Sequence, residues 1–119
     1  MKTLRDKLLP LLILLCATMS TQAALKAVEE VYELGLRGVT LPSAATGQML
    51  VRRCANCRSE PLRVDATTRF FVRPAAAPVS LADLRAAASR AALRRAPYVY
   101  VYYEPRSRIA RRVVLDPGP

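Results

Sequence analysis

Tyr98-Val-Tyr-Val-Tyr-Tyr-Glu-Pro-Arg-Ser-Arg-Ile-Ala-Arg-Arg-Val-Val-Leu115 is the stretch that decides the fold class. Tyr98–Tyr103 is a run of aromatic and β-branched residues, the types that fit a pleated, half-buried surface. Glu104-Pro105-Arg106-Ser107 reads as a turn with proline at its second position, where its fixed φ is useful. Ile109–Leu115 returns as a second strand, with Ile109, Val113 and Leu115 on one face and Ala110, Arg112 and Val114 on the other. A lone hairpin is marginal in water, so the rest of the chain must supply its partners.

Working back from the hairpin, Ser80–Arg95 is a helix. Ser80 suits the N-cap and Asp83 follows three residues later, in the first turn where the dipole favours a negative charge. Leu81, Leu84, Ala88 and Ala91 fall at helical spacing toward a core, and Pro97 forbids continuation. Before the helix, Thr68–Arg73, Leu62–Val64 and Gln48–Arg53 read as strands; Met49 and Val51 share one face of the last. Val31–Leu41 alternates through Tyr32, Leu34 and Leu36, and Gly38 offers a bulge before Val39 and Leu41 resume, so it reads as one bent strand. Residues 24–30 read as a short helix or a loose segment. The expected class is α+β: a small antiparallel, strongly bent β-sheet or partial β-barrel of about six short strands, with one inserted helix near 80–95 that covers an open end or one face.

Leu62-Arg63-Val64-Asp65-Ala66-Thr67-Thr68-Arg69-Phe70, then Val79-Ser80-Leu81-Ala82-Asp83-Leu84, then Val99–Tyr103 and Ile109–Leu115, together resemble small exported bacterial β-barrel-like domains of unknown function. Those domains share a rhythm of strand, Thr-containing turn, strand, Ser-Leu-x-Asp-Leu and closing hairpin. The resemblance covers the C-terminal half and implies a fold of that kind; it implies no activity. The helix here is longer and richer in Ala and Arg.

At the other end, Lys2, Arg5 and Lys7 precede an apolar run from Leu8 to Met19, and Thr21 and Ala23 are small. A charged start, a short apolar stretch and a small-residue site make a secretory signal peptide, with cleavage expected after Ala23. The apolar run is too short to span a bilayer, which takes roughly 20 residues, so no membrane span is expected after cleavage. Residues 1–23 are thus the signal peptide. Residues 24–119 are a single small α+β domain with a frayed C-terminal tail, destined for the periplasm or the exterior. Leu, Ile, Val and Phe make up a quarter of that domain and many other positions are Ala, so a folded but small core is expected.

The 119-residue chain carries 19 Lys and Arg against 9 Asp and Glu, a formal charge of +10, and no His or Trp. Without imidazole there is no Ser-His-Asp or Cys-His nucleophile, no His general base and no His metal ligand. Neither a phosphate-cradling loop nor a nucleophile motif is present, and the carboxylates are scattered over turns and caps. No cofactor is expected, and an enzyme is expected only if it is a thiol enzyme.

Cys54-Ala55-Asn56-Cys57 is the strongest local motif. In an oxidising compartment it reads first as a structural disulfide clipping a tight turn. Arg52, Arg53 and Arg58 beside it would favour thiolates, so a redox pair is a second reading. Against it, the residues after Cys57 lead into a strand instead of the helix that thioredoxin-like enzymes place there. A third is metal: two thiolates suit Cu(I), or half of a Zn site completed by Glu60 or a second copy.

The arginine surplus groups as Arg52, Arg53 and Arg58 near the cysteines, Arg90, Arg94 and Arg95 at the helix end, and Arg106, Arg108, Arg111 and Arg112 on the last hairpin. With Tyr98, Tyr100 and Tyr102 on one strand face, such a surface favours polyanions. After export those are lipopolysaccharide, anionic lipid or extracellular DNA; another envelope protein is a further candidate partner, and specific nucleic-acid recognition is not expected. The sequence therefore reads as an exported, non-catalytic binding or accessory module of the cell envelope. The alternative is a periplasmic thiol redox or Cu(I)/Zn-handling protein using Cys54 and Cys57.

Overall fold

A computed structural model describes residues 28–119; the expected signal peptide lies outside the described residues. In chain order the elements are β1 (Glu30–Gly35), β2 (Val39–Thr40), β3 (Gly47–Val51), β4 (Glu60–Val64), β5 (Arg69–Val72), α1 (Leu81–Ala91), β6 (Tyr98–Glu104) and β7 (Ile109–Asp116). They form one seven-stranded sheet in the order β1-β6-β7-β4-β3-β2, with β5 also on β7. The sheet is strongly bent and does not close into a barrel by hydrogen bonds.

Seven strands replace the expected six because the bent strand over Val31–Leu41 breaks in two at a single 3-10 turn, Leu36–Gly38. Gly38 permits the break. A Cβ there would lie 2.7 Å from the Arg52 carbonyl oxygen, and the Arg52 amide donates to the Gly38 carbonyl at 2.7 Å. The two edges of the sheet, β1 and β2, are thus consecutive in the chain and joined by that turn.

The expectation of a wholly antiparallel sheet is corrected. β4 meets β7 in parallel through Arg63 and Ile109, and β5 runs parallel to β7 from Arg69–Arg112 to Val72–Leu115. Alternation encodes which face a residue takes, not strand direction. The helix and β6 lie between β5 and β7, so the crossover a parallel pair requires is available. Between β4 and β5 the Thr68 hydroxyl bridges the interruption: it donates to the Ala110 carbonyl at 2.7 Å and accepts from the Asp65 amide at 3.2 Å. Thr68 is buried, so this side chain supplies what the backbone ladder lacks there.

A bulge in the final hairpin also corrects a face assignment. Tyr102 pairs with Arg112 but Tyr103 with Ala110, leaving Arg111 as the extra residue. Ala110 therefore turns inward with Val113 and Leu115, while Ile109 is only half-buried. The core takes alternate residues of the strands, among them Met49, Val51, Leu62, Val99, Val101 and Val113, each almost fully buried. Burying such side chains contributes about 1.5–3 kcal/mol apiece before conformational entropy is set against it.

α1 covers the core with Leu84, Ala87, Ala88 and Ala91. The Ser80 hydroxyl accepts from the Asp83 amide at 3.1 Å, as the cap signature requires. The helix stops at Ala91, four residues before the expected Arg95. The amides of Leu93 and Arg94 bond three residues back, tightening the last turn, and Ala96 takes a left-handed φ of 52° ahead of Pro97. Arg85 fixes the helix over the β2–β3 loop by donating to the Pro42 carbonyl at 2.7 Å.

Candidate functional site

β3 and β4 part at the Val51–Glu60 pair, and residues 52–59 form the loop between them. Inside that loop Cys54 and Cys57 are disulfide-bonded, Cα atoms 5.0 Å apart, and the Cys57 amide closes the turn on the Cys54 carbonyl. Both cysteines are exposed. Among the described residues no group of three or more His, Cys, Asp or Glu side chains is gathered to hold a metal ion.

The clip sits beside a more elaborate arrangement. Arg53 precedes Cys54, and Glu60 opens β4 directly after the loop. Their side chains meet on the Tyr32 hydroxyl, which donates to Glu60 Oε2. The Tyr32 hydroxyl oxygen in turn accepts from Arg53 at 3.3 Å and from Arg108 at 3.5 Å. Arg108, in a left-handed conformation with φ 59° at the end of the β6–β7 turn, also donates to the Pro61 carbonyl. Glu60 stands 4.0 Å from Arg53 and 3.9 Å from Arg108. The Tyr32 hydrogen bond first, then the two guanidiniums, hold the Glu60 carboxyl below its usual range. Tyr32 stacks on Tyr103, centroids 4.7 Å apart. Arg53 lies over the Tyr32 ring at 4.9 Å and Arg108 over the Tyr103 ring at 5.1 Å. Burial, then the hydrogen bond to Glu30, pushes the Tyr103 phenol well above its ordinary value. Around this cluster lies a groove of about 580 Å³, lined by residues of β3, β4 and the β6–β7 turn.

The tyrosine stripe lies elsewhere, on the outer face of β6. The inward positions are Val99, Val101 and Tyr103; Tyr98 is exposed, and Tyr100 and Tyr102 are half-buried. Arg112 covers the Tyr102 ring at 4.1 Å, and Arg73 covers Tyr100 at 4.8 Å. The register adds Val31 of β1 opposite Tyr102, Val114 of β7 opposite Tyr100, and Phe71 of β5 opposite Val114. Val31 is exposed; Val114 and Phe71 are half-buried. The face is therefore an aromatic and apolar floor edged by guanidiniums, with one exposed acid, Glu33, opposite Tyr100. Those cations are only lightly committed: Arg112 reaches Glu29 at 3.4 Å and Arg73 reaches Asp116 at 3.6 Å. Exposed pairs of this kind contribute at most about 1 kcal/mol.

The expected arginine groups do not form one patch. Arg53 and Arg108, from different groups, converge on Tyr32. Arg111, the bulge residue, pairs with Glu104 at 2.7 Å and also donates to the Thr67 hydroxyl. Arg112 joins the tyrosine face, whereas Arg52, Arg58 and Arg106 are simply exposed. Tyr32, Tyr103 and Arg73 were not singled out by the sequence as binding groups, and Glu60 only as a candidate partner of the cysteines on a metal. Tyr32 and Tyr103 showed only as residues of apolar, alternating strands, and nothing local announces contacts spanning 28 and 76 positions.

No protein-family model, curated protein or solved structure matches the chain.

Proposed function

We propose that this is an exported, non-catalytic binding module of the cell envelope that docks on a polyanionic component, lipopolysaccharide or anionic lipid, through the outer face of β1, β6, β7 and β5. The observation that carries the reading is the Tyr100–Tyr102 stripe with Arg73 and Arg112 lying over its rings. Tyrosine suits a boundary that is apolar on one side and wet on the other. Arginine near an anionic surface contributes about 1 kcal/mol per residue, falling with salt. Export, the periplasmic or external location and the likeness to small barrel-like envelope domains belong to this proposal.

The test is co-sedimentation with vesicles containing phosphatidylglycerol or lipopolysaccharide, set against purely zwitterionic vesicles. Binding to the anionic vesicles alone, weakened about tenfold by Arg73→Ser with Arg112→Ser and by added salt, supports the reading. Equal binding to zwitterionic vesicles, or no binding, rejects it.

The exposure of both cysteines in an Arg-flanked turn favours the second reading, a thiol redox or Cu(I)/Zn-handling protein. Intact mass with alkylation before and after mild reduction, plus metal analysis, separates the two. A cystine that resists mild dithiol and carries no metal supports the clip.

A further inference from the structure

We propose that the groove between β4 and the β6–β7 turn is a binding site for a phosphomonoester, held by Arg53, Arg108 and Arg63 with Gln48 and Ser107. This goes beyond the docking face, which uses other residues.

Arg53 and Arg108 come from loops more than fifty positions apart and converge on one phenol oxygen and one carboxylate. Their pairing is incomplete. Each stands about 4 Å from Glu60, beyond a direct hydrogen bond. A guanidinium has five N–H donors. Arg53 directs one at Tyr32, and Arg108 directs one at Tyr32 and one at Pro61. Several donors of two adjacent cations therefore remain for a ligand.

Three further groups of the groove wall point the same way. Arg63 and Gln48, paired across β3 and β4, add a third cation and an amide. Ser107 is one of the residues lining the groove, and its hydroxyl oxygen, buried just behind that wall, has no hydrogen-bond partner among the described residues. Buried hydroxyls are rarely left unpaired. Among the residues that line the groove three carry guanidiniums and one a carboxylate, so even with Glu30 on the Tyr103 hydroxyl the surplus is positive.

That surplus selects the ligand class. A phosphomonoester carries about −1.5 to −2 charges near neutral pH and presents three acceptor oxygens; a phosphodiester carries only one negative charge. Paired arginines match such an oxygen set bidentately. Glu60 then acts as an internal competitor: its carboxylate occupies the neighbourhood of the two guanidiniums, and the incoming phosphate takes them over. The phosphate source is either a free small molecule or the headgroup of a lipid.

Titration calorimetry with inorganic phosphate alone, then vesicle binding with phosphatidic acid against phosphatidylglycerol, tests the site. The proposal expects saturable phosphate binding at one equivalent. It expects a loss of about tenfold or more in Arg53→Gln and Arg108→Gln, the scale of a lost charge-assisted hydrogen bond. Arg63→Gln, on the exposed wall, should also weaken binding while leaving the fold and melting temperature intact, which guards against variants that merely unfold. Glu60→Gln should bind phosphate more tightly than the parent. Saturable phosphate binding without preference for phosphatidic acid assigns the free small molecule; a preference for phosphatidic acid that these variants abolish assigns the lipid headgroup. No saturable binding of either probe, or binding unchanged in Arg63→Gln and Arg108→Gln, overturns the proposal. Arg73→Ser with Arg112→Ser should leave phosphate affinity unchanged, so failure of the docking face and failure of this groove are read separately.

Discussion

The rings of Tyr32 and Tyr103 lie 4.7 Å apart and 15° from parallel, yet their hydroxyls leave in different directions, one to Glu60 and the other to Glu30. Both rings are buried, and β1 and β6 pair beside them. The stack therefore anchors two polar networks at one end of the sheet. Tyr32→Phe keeps the ring and deletes an oxygen that serves three partners. A loss of about 1–3 kcal/mol is expected in denaturant unfolding, with the fold retained. Tyr32→Ala, which also opens a cavity, should lose about 3–5 kcal/mol.

Gly38 and Gly35 should respond oppositely. A Cβ at Gly38 meets the Arg52 carbonyl oxygen at 2.7 Å, whereas one at Gly35 meets nothing within 4 Å. Gly38→Ala is expected to destabilise by about 1–3 kcal/mol through the backbone shift it forces. Gly35→Ala, at φ −61°, should be neutral or stabilise by up to about 1 kcal/mol. Paired thermal melts check both.

Thr68 links two interrupted pairings along one edge of β7. Thr68→Val leaves the Ala110 carbonyl and the Asp65 amide without that hydroxyl, for an expected loss of about 1–3 kcal/mol. Thr68→Ser should lose less. Amide exchange ought to quicken first in β5 and the adjoining part of β7 in the Val variant.

Acid should release the Glu60 cluster. The folded-state pKa of Glu60 is depressed, so its contribution is fully present above the unfolded value of about 4.3 and vanishes as pH falls through the folded one. Asp65 behaves likewise, held low first by the Thr67 hydroxyl and then by the Thr67 amide. The gap between the unfolding midpoints of the parent and Glu60→Gln, measured from pH 7 downward, should begin to narrow near the unfolded value of about 4.3 and go on narrowing at lower pH. A gap that does not narrow at all as the pH falls from 5 to 2 contradicts this assignment.

Removing the clip should cost stability without dissolving the sheet. Closing so short a loop contributes about 2 kcal/mol in the chain-entropy account. Cys54→Ser with Cys57→Ser is expected to lower the melting temperature by that scale and to leave docking on anionic vesicles unchanged.

How much of this was legible depends on distance along the chain. The Ser80 cap and the inward residues Met49, Val51 and Leu84 follow from local spacing, and the structure bears them out. The split at Leu36–Gly38 was half visible, because the glycine was evident but the Arg52 carbonyl it accommodates was not. The parallel partners of β7 and the bulge at Arg111 were invisible, since period-two alternation carries neither direction nor register slips. The candidate groove was legible only in fragments: Arg53 and Arg108 stood in separate groups, and Tyr32 read as core. Packing makes them neighbours.

The proposed contact surface is the outer tyrosine and arginine face and not the cystine. A two-dimensional NMR titration with a soluble short-chain phosphatidylglycerol tests it most directly. Saturable shifts at Tyr98, Tyr100, Tyr102, Arg73 and Arg112, with Cys54 and Cys57 unmoved, are the predicted result. Shifts confined to the Cys54–Cys57 loop, or none on the outer face, would contradict it.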